Sequence, residues 1–204
     1  MNFKGVNADM ELHEIRKKLK KELDKSRYEH TKGVMYTAGS LAMAYGYDYH
    51  KAMIAGLLHD CAKCRSTEEK MELCKKYDIT VTSIEKENPG LLHAKAGMAL
   101  AQKKYDITDS EILHAIKVHT TGEPDMSLLD KIIFVADYIE PLRNEAPRLN
   151  EIRRIAFHNI DQCVAEILYD SLNYLDGRNG SIDPATKRTY EFYEHYRKEQ
   201  SQSA

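Results

Sequence analysis

The sequence predicts an all-α protein, a single helical unit of 204 residues. Three observations predict this class. Apolar residues recur every three or four positions in almost every periodic segment. Helix-capping pairs precede several of these segments. No segment of useful length alternates with the period of two that a strand requires. We therefore expect a bundle of about eight helices, with its core over residues 10–175 and a last helix and tail over 176–204.

The N-terminal half of the chain is expected to contribute four helices. They cover residues 10–24, 27–45, 48–60 and 66–78. In the first, Leu12, Ile15 and Leu19 form an apolar stripe among charged residues. The fourth begins with Ser66 and Glu69, which have the spacing of a capping box. This pairing predicts that the helix starts directly after Ser66.

The C-terminal half is expected to contribute the remaining helices. They cover residues 88–104, 108–122, 127–140, 148–174 and 183–199. Thr108 and Glu111 are interpreted as a capping box at the start of a helix that ends at Gly122. Ser127 and Asp130 are interpreted as a second capping box. The segment 148–174 reads as one long amphipathic helix, which could carry the interface of a homodimer.

Composition narrows the classes of function. The net charge of -2 provides no basic field, so we expect no nucleic-acid partner. No apolar run approaches bilayer length and no leader pattern is seen, so we expect no membrane partner and a cytoplasmic protein. Cys61 and Cys64 form a lone CxxC without the second pair that a zinc site needs, and we interpret them as small side chains near a helix end.

Ionisable residues interrupt the apolar faces of five predicted helices. They are His30, the pair His59-Asp60, His93, His119 and Asp137. Asp137 is the most informative, because a bare carboxylate on a core-facing helix would cost several kcal/mol or stay protonated. A metal cation removes that cost, and imidazole with carboxylate suits iron, manganese, cobalt, nickel or zinc. The pattern therefore predicts metal ligands that project into the core from separate helices.

We expect two divalent ions rather than one. Neighbouring residues on a helix point about 100° apart, so His59 and Asp60 cannot both aim at one point unless the helix ends or the carboxylate bridges two ions. The favoured assignment gives the first ion to His30, His59 and Asp137, the second to His93 and His119, and the bridge to Asp60. Such pairs lie about 3.5 to 4 Å apart in many hydrolases of phosphoesters and phosphoanhydrides.

Cationic and hydroxyl side chains near these positions predict a phosphate-bearing substrate. Lys63 and Arg27 lie one helical turn from predicted ligands, and Arg143 follows the 127–140 helix. Asp60 and Lys63 are the predicted catalytic residues. The predicted substrate-binding residues are Arg27, Lys63, His93, Thr120, Thr121, Gly122 and Arg143. An ordinary helix C-cap is an equally good interpretation of Gly122.

The ordered set H…HD…H…H…D resembles the HD-domain metal-dependent phosphohydrolases and, more narrowly, is similar to the bacterial YqeK family. The closer likeness lies in RYEHTKGV (27–34), AGLLHDCAK (55–63), LLHAKAG (91–97), ILHAIKVHTTG (112–122) and LDKIIFVADYIEPLR (129–143). It extends over residues 10–175. The resemblance implies an HD-domain helical bundle with a di-iron centre in its core. It also implies symmetrical cleavage of diadenosine tetraphosphate into two ADP.

Three alternatives stay open from the sequence. The first is an HD phosphohydrolase that acts on nucleoside monophosphates, cyclic nucleotides or guanosine alarmones. The second is a di-iron oxygenase, which the basic residues around the site disfavour. The third is a metal-stabilised module that binds a nucleotide without turnover.

Overall fold

The computed structural model describes residues 8–177 and 182–198. These residues form twelve α-helices and one short 3₁₀ turn, and they include no strand, so the all-α prediction is confirmed. The helices are α1 (Ala8–Leu19), α2 (Lys25–Ala44), α3 (Tyr49–Leu58), α4 (Thr67–Lys76), α5 (Ser83–Glu87), α6 (Leu92–Lys104), α7 (Ser110–Val118), α8 (Leu128–Ile139), α9 (Leu149–Ala156), α10 (Ile160–Asp176), α11 (Pro184–Tyr193) and α12 (His195–Lys198). The 3₁₀ turn is Pro89–Leu91.

Helices α2, α3, α7 and α8 pack against one another and form the centre of the bundle. Their buried faces are aliphatic, as at Val34, Leu57, Ile116, Ile132 and Ile133, each with no measurable exposure. Helix α6 packs on α7 and α4, while α10 packs on α8, α9 and α11. The side chains of the site described below come from α2, α6 and α8 and from the residues that follow α3 and α7.

A glycine allows close contact between α2 and α3. A methyl group added at Gly56 would lie 3.1 Å from the Cα of Met35 and 3.2 Å from the Cβ of Ala38. Those separations are tighter than ordinary van der Waals contact, so a larger residue would push the helices apart. The end of α3 is thereby held against the middle of α2.

Two predicted capping boxes are confirmed and one is wrong. Ser66 with Glu69 and Ser127 with Asp130 make the expected reciprocal bonds at the starts of α4 and α8. Helix α7 is instead capped by Asp109, whose Oδ1 accepts from the backbone N–H groups of Glu111 and Ile112. An ionised carboxylate is a stronger acceptor for these N–H groups than the Thr108 hydroxyl, which explains the shift by one residue.

The predicted long helix over 148–174 is wrong, because the chain breaks between α9 and α10. Asn159 adopts an extended backbone conformation, and its side chain accepts a hydrogen bond from the N–H of Gln162. Asparagine favours the N-cap over the helix interior, so Asn159 begins a new helix. The apolar period continues across this boundary and does not reveal it. The expectation that this segment carries a homodimer interface stays a prediction.

Other differences concern helix ends. The first helix stops at Leu19 instead of residue 24, since Asp24 caps α2 by accepting from the N–H of Arg27. The sequence analysis missed α5, although Thr82 and Glu85 form a capping box before it. The segment 183–199 divides at Glu194 into α11 and α12, and residues 199–204 of the predicted tail lie outside the described residues. None of the described helices has the length and hydropathy needed to cross a membrane.

Candidate metal centre

Six side chains converge between α2, α3, α6, α7 and α8. They are His30, His59, Asp60, His93, His119 and Asp137, and together they are called the His/Asp centre below. All are buried except Asp137, whose side chain is 23% exposed. The sequence analysis selected these same six residues as ligands, and the fold brings all of them together.

The end of α3 supplies two of the six residues. The helix ends at Leu58, so His59 occupies the C-cap position and Asp60 lies in the following turn. The helix end frees Asp60 from the 100° separation of a regular helix. Its two oxygens face opposite sides: Oδ2 lies 3.5 Å from His59 Nε2, and Oδ1 lies 3.2 Å from His93 Nε2. Both solutions anticipated from the sequence, a helix end and a bridging carboxylate, fit this geometry.

On one side of Asp60, His30 from α2 meets Asp137 from α8. The Nε2 atom of His30 lies 3.0 Å from Asp137 Oδ1 and 3.9 Å from Asp60 Oδ2. The Nε2 atom of His59 lies 3.7 Å from the same Asp137 oxygen. On the other side, the Nε2 atoms of His93 and His119 lie 3.1 Å apart.

Ring orientation is fixed at the Nδ1 atoms. His59 and His119 each direct Nδ1 to a backbone carbonyl three residues earlier, Gly56 and Ile116, at 2.7 Å. His93 does the same with Gly90. A carbonyl oxygen only accepts, so each Nδ1 carries the proton. In the neutral ring the Nε2 lone pair is then free and faces the centre.

Burial keeps two of these rings neutral. It lowers the pKa of His59 to about 4 and the pKa of His93 to about 3. Neutral imidazole is the form that binds a metal ion. The pKa of His30 moves the other way: burial opposes it, but the neighbouring carboxylates Asp137 and Glu140 raise it above its usual value.

The two carboxyl groups are held ionised. Burial acts to raise the pKa of Asp60, but the electrostatic influence of the His59 ring and the Lys63 ammonium outweighs it and lowers the pKa below its ordinary range. Burial also opposes ionisation of Asp137, while its short contact with the His30 ring and the electrostatic influence of His59 lower its pKa well below the usual value. The centre therefore combines carboxylates with neutral imidazoles.

This donor set fits divalent metal ions. Three overlapping groups have ligand atoms close enough to share an ion: His30–His59–Asp60, His59–His119–Asp137 and Asp60–His93–His119. Three buried atoms within them, His30 Nε2, His59 Nε2 and Asp60 Oδ1, have no hydrogen-bond partner. Unpartnered buried polar atoms are costly, and bound cations would satisfy them.

The three predicted phosphate-binding cations lie at the edge of the centre. The Arg27 guanidinium lies 2.7 Å from Asp60 Oδ2, and that of Arg143 lies 2.8 Å from Asp137 Oδ1. The Lys63 ammonium lies 3.2 Å from His93 Nε2 and 3.9 Å from Asp60 Oδ1. Positive charge therefore surrounds the opening of the site, where an anionic substrate would enter.

The HTTG segment divides into parts with different surroundings. The Thr120 hydroxyl lies 3.2 Å from His93 Nε2 and 3.1 Å from His119 Nε2, so it lies directly beside the His/Asp centre. The Thr121 hydroxyl donates to the carbonyl of Gly122. Gly122 has φ +61°, and its N–H donates to Val118 O in a helix-capping arrangement. Thr120, Thr121 and Gly122 also line a groove of about 540 Å³.

The sequence analysis missed Glu140. This residue is 1% exposed, and its Oε1 lies 3.0 Å from His30 Nδ1. Glu140 follows Asp137 by three residues, a spacing that places both side chains on one face of a helix. This spacing was the feature of the sequence that could have identified Glu140. His114 on α7 lies 3.1 Å from both Asp130 and Glu123. The carboxylates of Asp130 and Glu123 pair with the two ring nitrogens of His114, and these three residues are separate from the His/Asp centre.

Neither cysteine of the CxxC motif belongs to the centre. Cys61 is buried, and its thiol donates to the carbonyl of Gly97. Cys64 is exposed and donates to a carboxylate oxygen of Asp24. Burial raises the pKa of the Cys61 thiol, which makes it a poor metal ligand and a poor redox group. The interpretation as small side chains near a helix end agrees with these contacts.

The fold and the centre define an all-helical protein with a buried His/Asp site suited to divalent metal ions. The family model for the HD domain matches residues 27–142, which include all six residues of the centre. The chain belongs to the HD domain family.

Two relatives and one solved structure are similar over most of the chain. Proteins named "Bis(5'-nucleosyl)-tetraphosphatase, symmetrical" from Bacillus subtilis and Halalkalibacterium halodurans are 39% and 40% identical, each over 84% of this chain and 91% of the relative. A crystal structure from Clostridium acetobutylicum is described as a "predicted HD superfamily hydrolase involved in NAD metabolism". It superposes with a TM-score of 0.86 at 37% identity, covering 89% of this chain and 95% of the other.

Proposed function

We propose that this protein hydrolyses the central phosphoanhydride of diadenosine tetraphosphate. One water is consumed, one P–O bond of the anhydride bridge between the second and third phosphorus atoms breaks, and two ADP are released. The observation that carries this proposal is the placement of Asp60 between two groups of histidine ligands, with Arg27, Lys63 and Arg143 around the opening. The names of the two relatives, symmetrical tetraphosphatases at 39% and 40% identity, support the same reaction.

The proposed cofactor is a pair of divalent ions, with iron as the first choice and manganese, cobalt, nickel or zinc as alternatives. His30, His59 and Asp137 would hold one ion, His93 and His119 the other, and Asp60 would contribute one oxygen to each. When bound, such a pair supplies a water of lowered pKa at neutral pH and neutralises charge on phosphate oxygens.

The chain's own residues bind and orient the polyphosphate. Arg27 and Arg143 present guanidinium groups beside Asp60 and Asp137, where they can also bind non-bridging phosphate oxygens in a planar fork. Lys63 offers a point charge on the His93 side of the centre. Charge that grows on the departing ADP is neutralised there without movement of the protein, because the cations are already in place.

Two recesses suit the two ends of a symmetrical substrate. The groove of about 540 Å³ begins at Thr120 and includes Lys117 and Arg188 in its walls. A second recess of about 270 Å³ is lined by Arg27, His30 and Arg143 on the opposite side of Asp60. A substrate with one nucleoside in each recess would present its central anhydride to the centre. This arrangement would explain cleavage into equal halves.

Product analysis tests this proposal. Diadenosine tetraphosphate is incubated with the iron- or manganese-loaded protein, and the nucleotides are separated by ion-exchange chromatography. ADP as the only product, at two per substrate consumed, is expected. Equimolar AMP and ATP would contradict the symmetrical cut. Binding of the substrate without turnover would instead support a nucleotide-binding module and overturn the proposal.

A further inference from the structure

His30 is oriented differently from the other three histidines of the centre. His59 and His119 directly follow the last residues of their helices, and His93 is the second residue of α6. At helix boundaries backbone carbonyls are free to accept from a ring N–H. His30 lies inside α2, where the carbonyls one turn earlier are already used by the helix. Its Nδ1 atom therefore needs an acceptor from another part of the chain.

Glu140 is that acceptor, and its carboxylate is fixed at both oxygens. Oε1 lies 3.0 Å from His30 Nδ1, and Oε2 accepts the backbone N–H of Leu142 at 2.8 Å. The backbone carbonyl of Glu140 accepts from the Arg153 guanidinium at 3.0 Å. The end of α8 thus holds the carboxylate in one place, with 1% of the residue exposed.

Gly33 provides the space for this carboxylate. It follows His30 by three residues on α2, so the two residues share a helical face. A methyl group at position 33 would overlap Oε2 of Glu140 and lie 3.2 Å from its Cδ. Glycine within a helix is less favourable than alanine. The Glu140 carboxylate is the group that explains why the smaller residue is needed.

We infer that Glu140 is a positioning residue for the proposed metal centre, and that Gly33 makes this position available to it. The carboxylate accepts the Nδ1–H of His30 and thereby aims Nε2 at Asp137 and Asp60. Outer partners of this kind fix the tautomer and direction of a metal-bound histidine. The inference rests on the proposed function to the extent that it assumes an ion at His30.

Four variants test the inference: Gly33→Ala, Glu140→Gln, the double variant Gly33→Ala/Glu140→Ala, and Gly39→Ala as the matched control. Gly39 lies on the same helix, and a methyl group there would meet the adaptable side chain of Met53, whose Cγ would lie 2.9 Å away, and not a carboxylate. The measurement is Mn²⁺ affinity and stoichiometry, by competition with a chelator, followed by kcat and KM for diadenosine tetraphosphate.

Gly33→Ala is expected to weaken one of the two Mn²⁺ sites about 10- to 100-fold and to leave the other unchanged. Glu140→Gln should fall between wild type and Gly33→Ala, because an amide offers oxygen to only one of the two N–H donors. In both variants kcat should fall while KM changes less than about threefold, since the substrate cations are untouched. Gly39→Ala should match wild type in metal binding.

The double variant separates orientation from steric strain. It removes the clash together with the carboxylate, so affinity at the first Mn²⁺ site should stay low. Wild-type affinity in the double variant would overturn the inference, as would wild-type affinity in Glu140→Gln. If wild type binds two Mn²⁺ but releases no ADP, the proposed function fails and the metal titration still decides the role of Glu140. If wild type binds no Mn²⁺ at His30, the inference fails.

Discussion

The two sides of the His/Asp centre are held by different kinds of contact. His93 and His119 are oriented by carbonyl groups three residues earlier in their own chain segments. His30 is oriented by the side chain of Glu140, which is 110 residues away in sequence, and Asp137 by the side chain of Arg143, six residues later. The first arrangement follows from local backbone geometry. The second depends on packing between α2 and the end of α8, so substitutions far from the ligands should disturb it more easily.

Asp60 joins the two sides, and its loss should have the largest effect. Asp60→Ala removes an oxygen from each side and leaves the neighbouring Arg27 without its partner. We expect kcat for diadenosine tetraphosphate to fall by at least about 1000-fold, since metal ions contribute several kcal/mol to such reactions. Asp60→Asn, which keeps the volume of the side chain, should be equally inactive. Steady-state assay of ADP release checks this, and substantial activity in either variant would contradict the proposed bridge.

Lys63 tests the side that contains His93. Lys63→Ala removes the ammonium 3.2 Å from His93 Nε2, and we expect kcat/KM to fall about 100-fold through loss of charge stabilisation in the transition state. Lys103→Ala, at the far end of α6, is the charge-matched control and should retain wild-type kinetics. Equal rates in the two variants would show that Lys63 is only a surface charge.

Arg143 tests the side that contains Asp137. Arg143→Ala removes a guanidinium that is 2.8 Å from Asp137, and we expect KM to rise about tenfold with a smaller change in kcat. The exposed Arg154 on α9 offers a control with the same change in net charge. An unchanged KM in Arg143→Ala, measured beside Arg154→Ala, would remove Arg143 from the substrate site.

In metal-free protein, His93 and His30 should also make opposite pH-dependent contributions to stability. The folded-state pKa of His93 lies at about 3, below its usual 6.5, so the unfolded chain binds the extra proton first. Its contribution to stability is complete above about pH 6.5 and is lost as the pH falls toward the folded pKa. For His30, whose pKa is raised, the contribution is instead lost as the pH rises through the folded pKa.

Thermal unfolding between pH 7.5 and 4.5 measures this difference. The free energy of unfolding of the wild type should fall by on the order of 2 to 3 kcal/mol over this interval through His93 alone. His93→Asn should show a visibly shallower decline. An identical slope in the variant would mean that the buried ring does not titrate as its surroundings require.

The six residues of the His/Asp centre could be selected from the sequence because an unpartnered ionisable group on a buried helical face is energetically costly. A carboxylate such as Asp137 inside an apolar helix has few explanations other than a cation. Thr120 was also found, because it follows His119 directly. Glu140 was missed because it lies at a helix end beside Pro141, where a glutamate usually faces water. Its role depends on the approach of α2 to α8, which periodicity does not encode.

The fold was predictable in class but less so in its boundaries. Capping pairs at Ser66 and Ser127 located two helix starts correctly because the bonds are local. The break at Asn159 was missed, since the apolar period runs across it and one side chain decides the boundary. Gly56 and Gly33 show the same limit: their small size matters only because of what packs against them.

The central claim is that two divalent ions bind on either side of Asp60. Anomalous diffraction from crystals of the manganese-loaded protein tests it most directly. The account predicts two peaks about 3.5 to 4 Å apart, one next to His30 and Asp137 and one next to His93 and His119. A single peak, or ions bound only at His114 with Glu123 and Asp130, would contradict it.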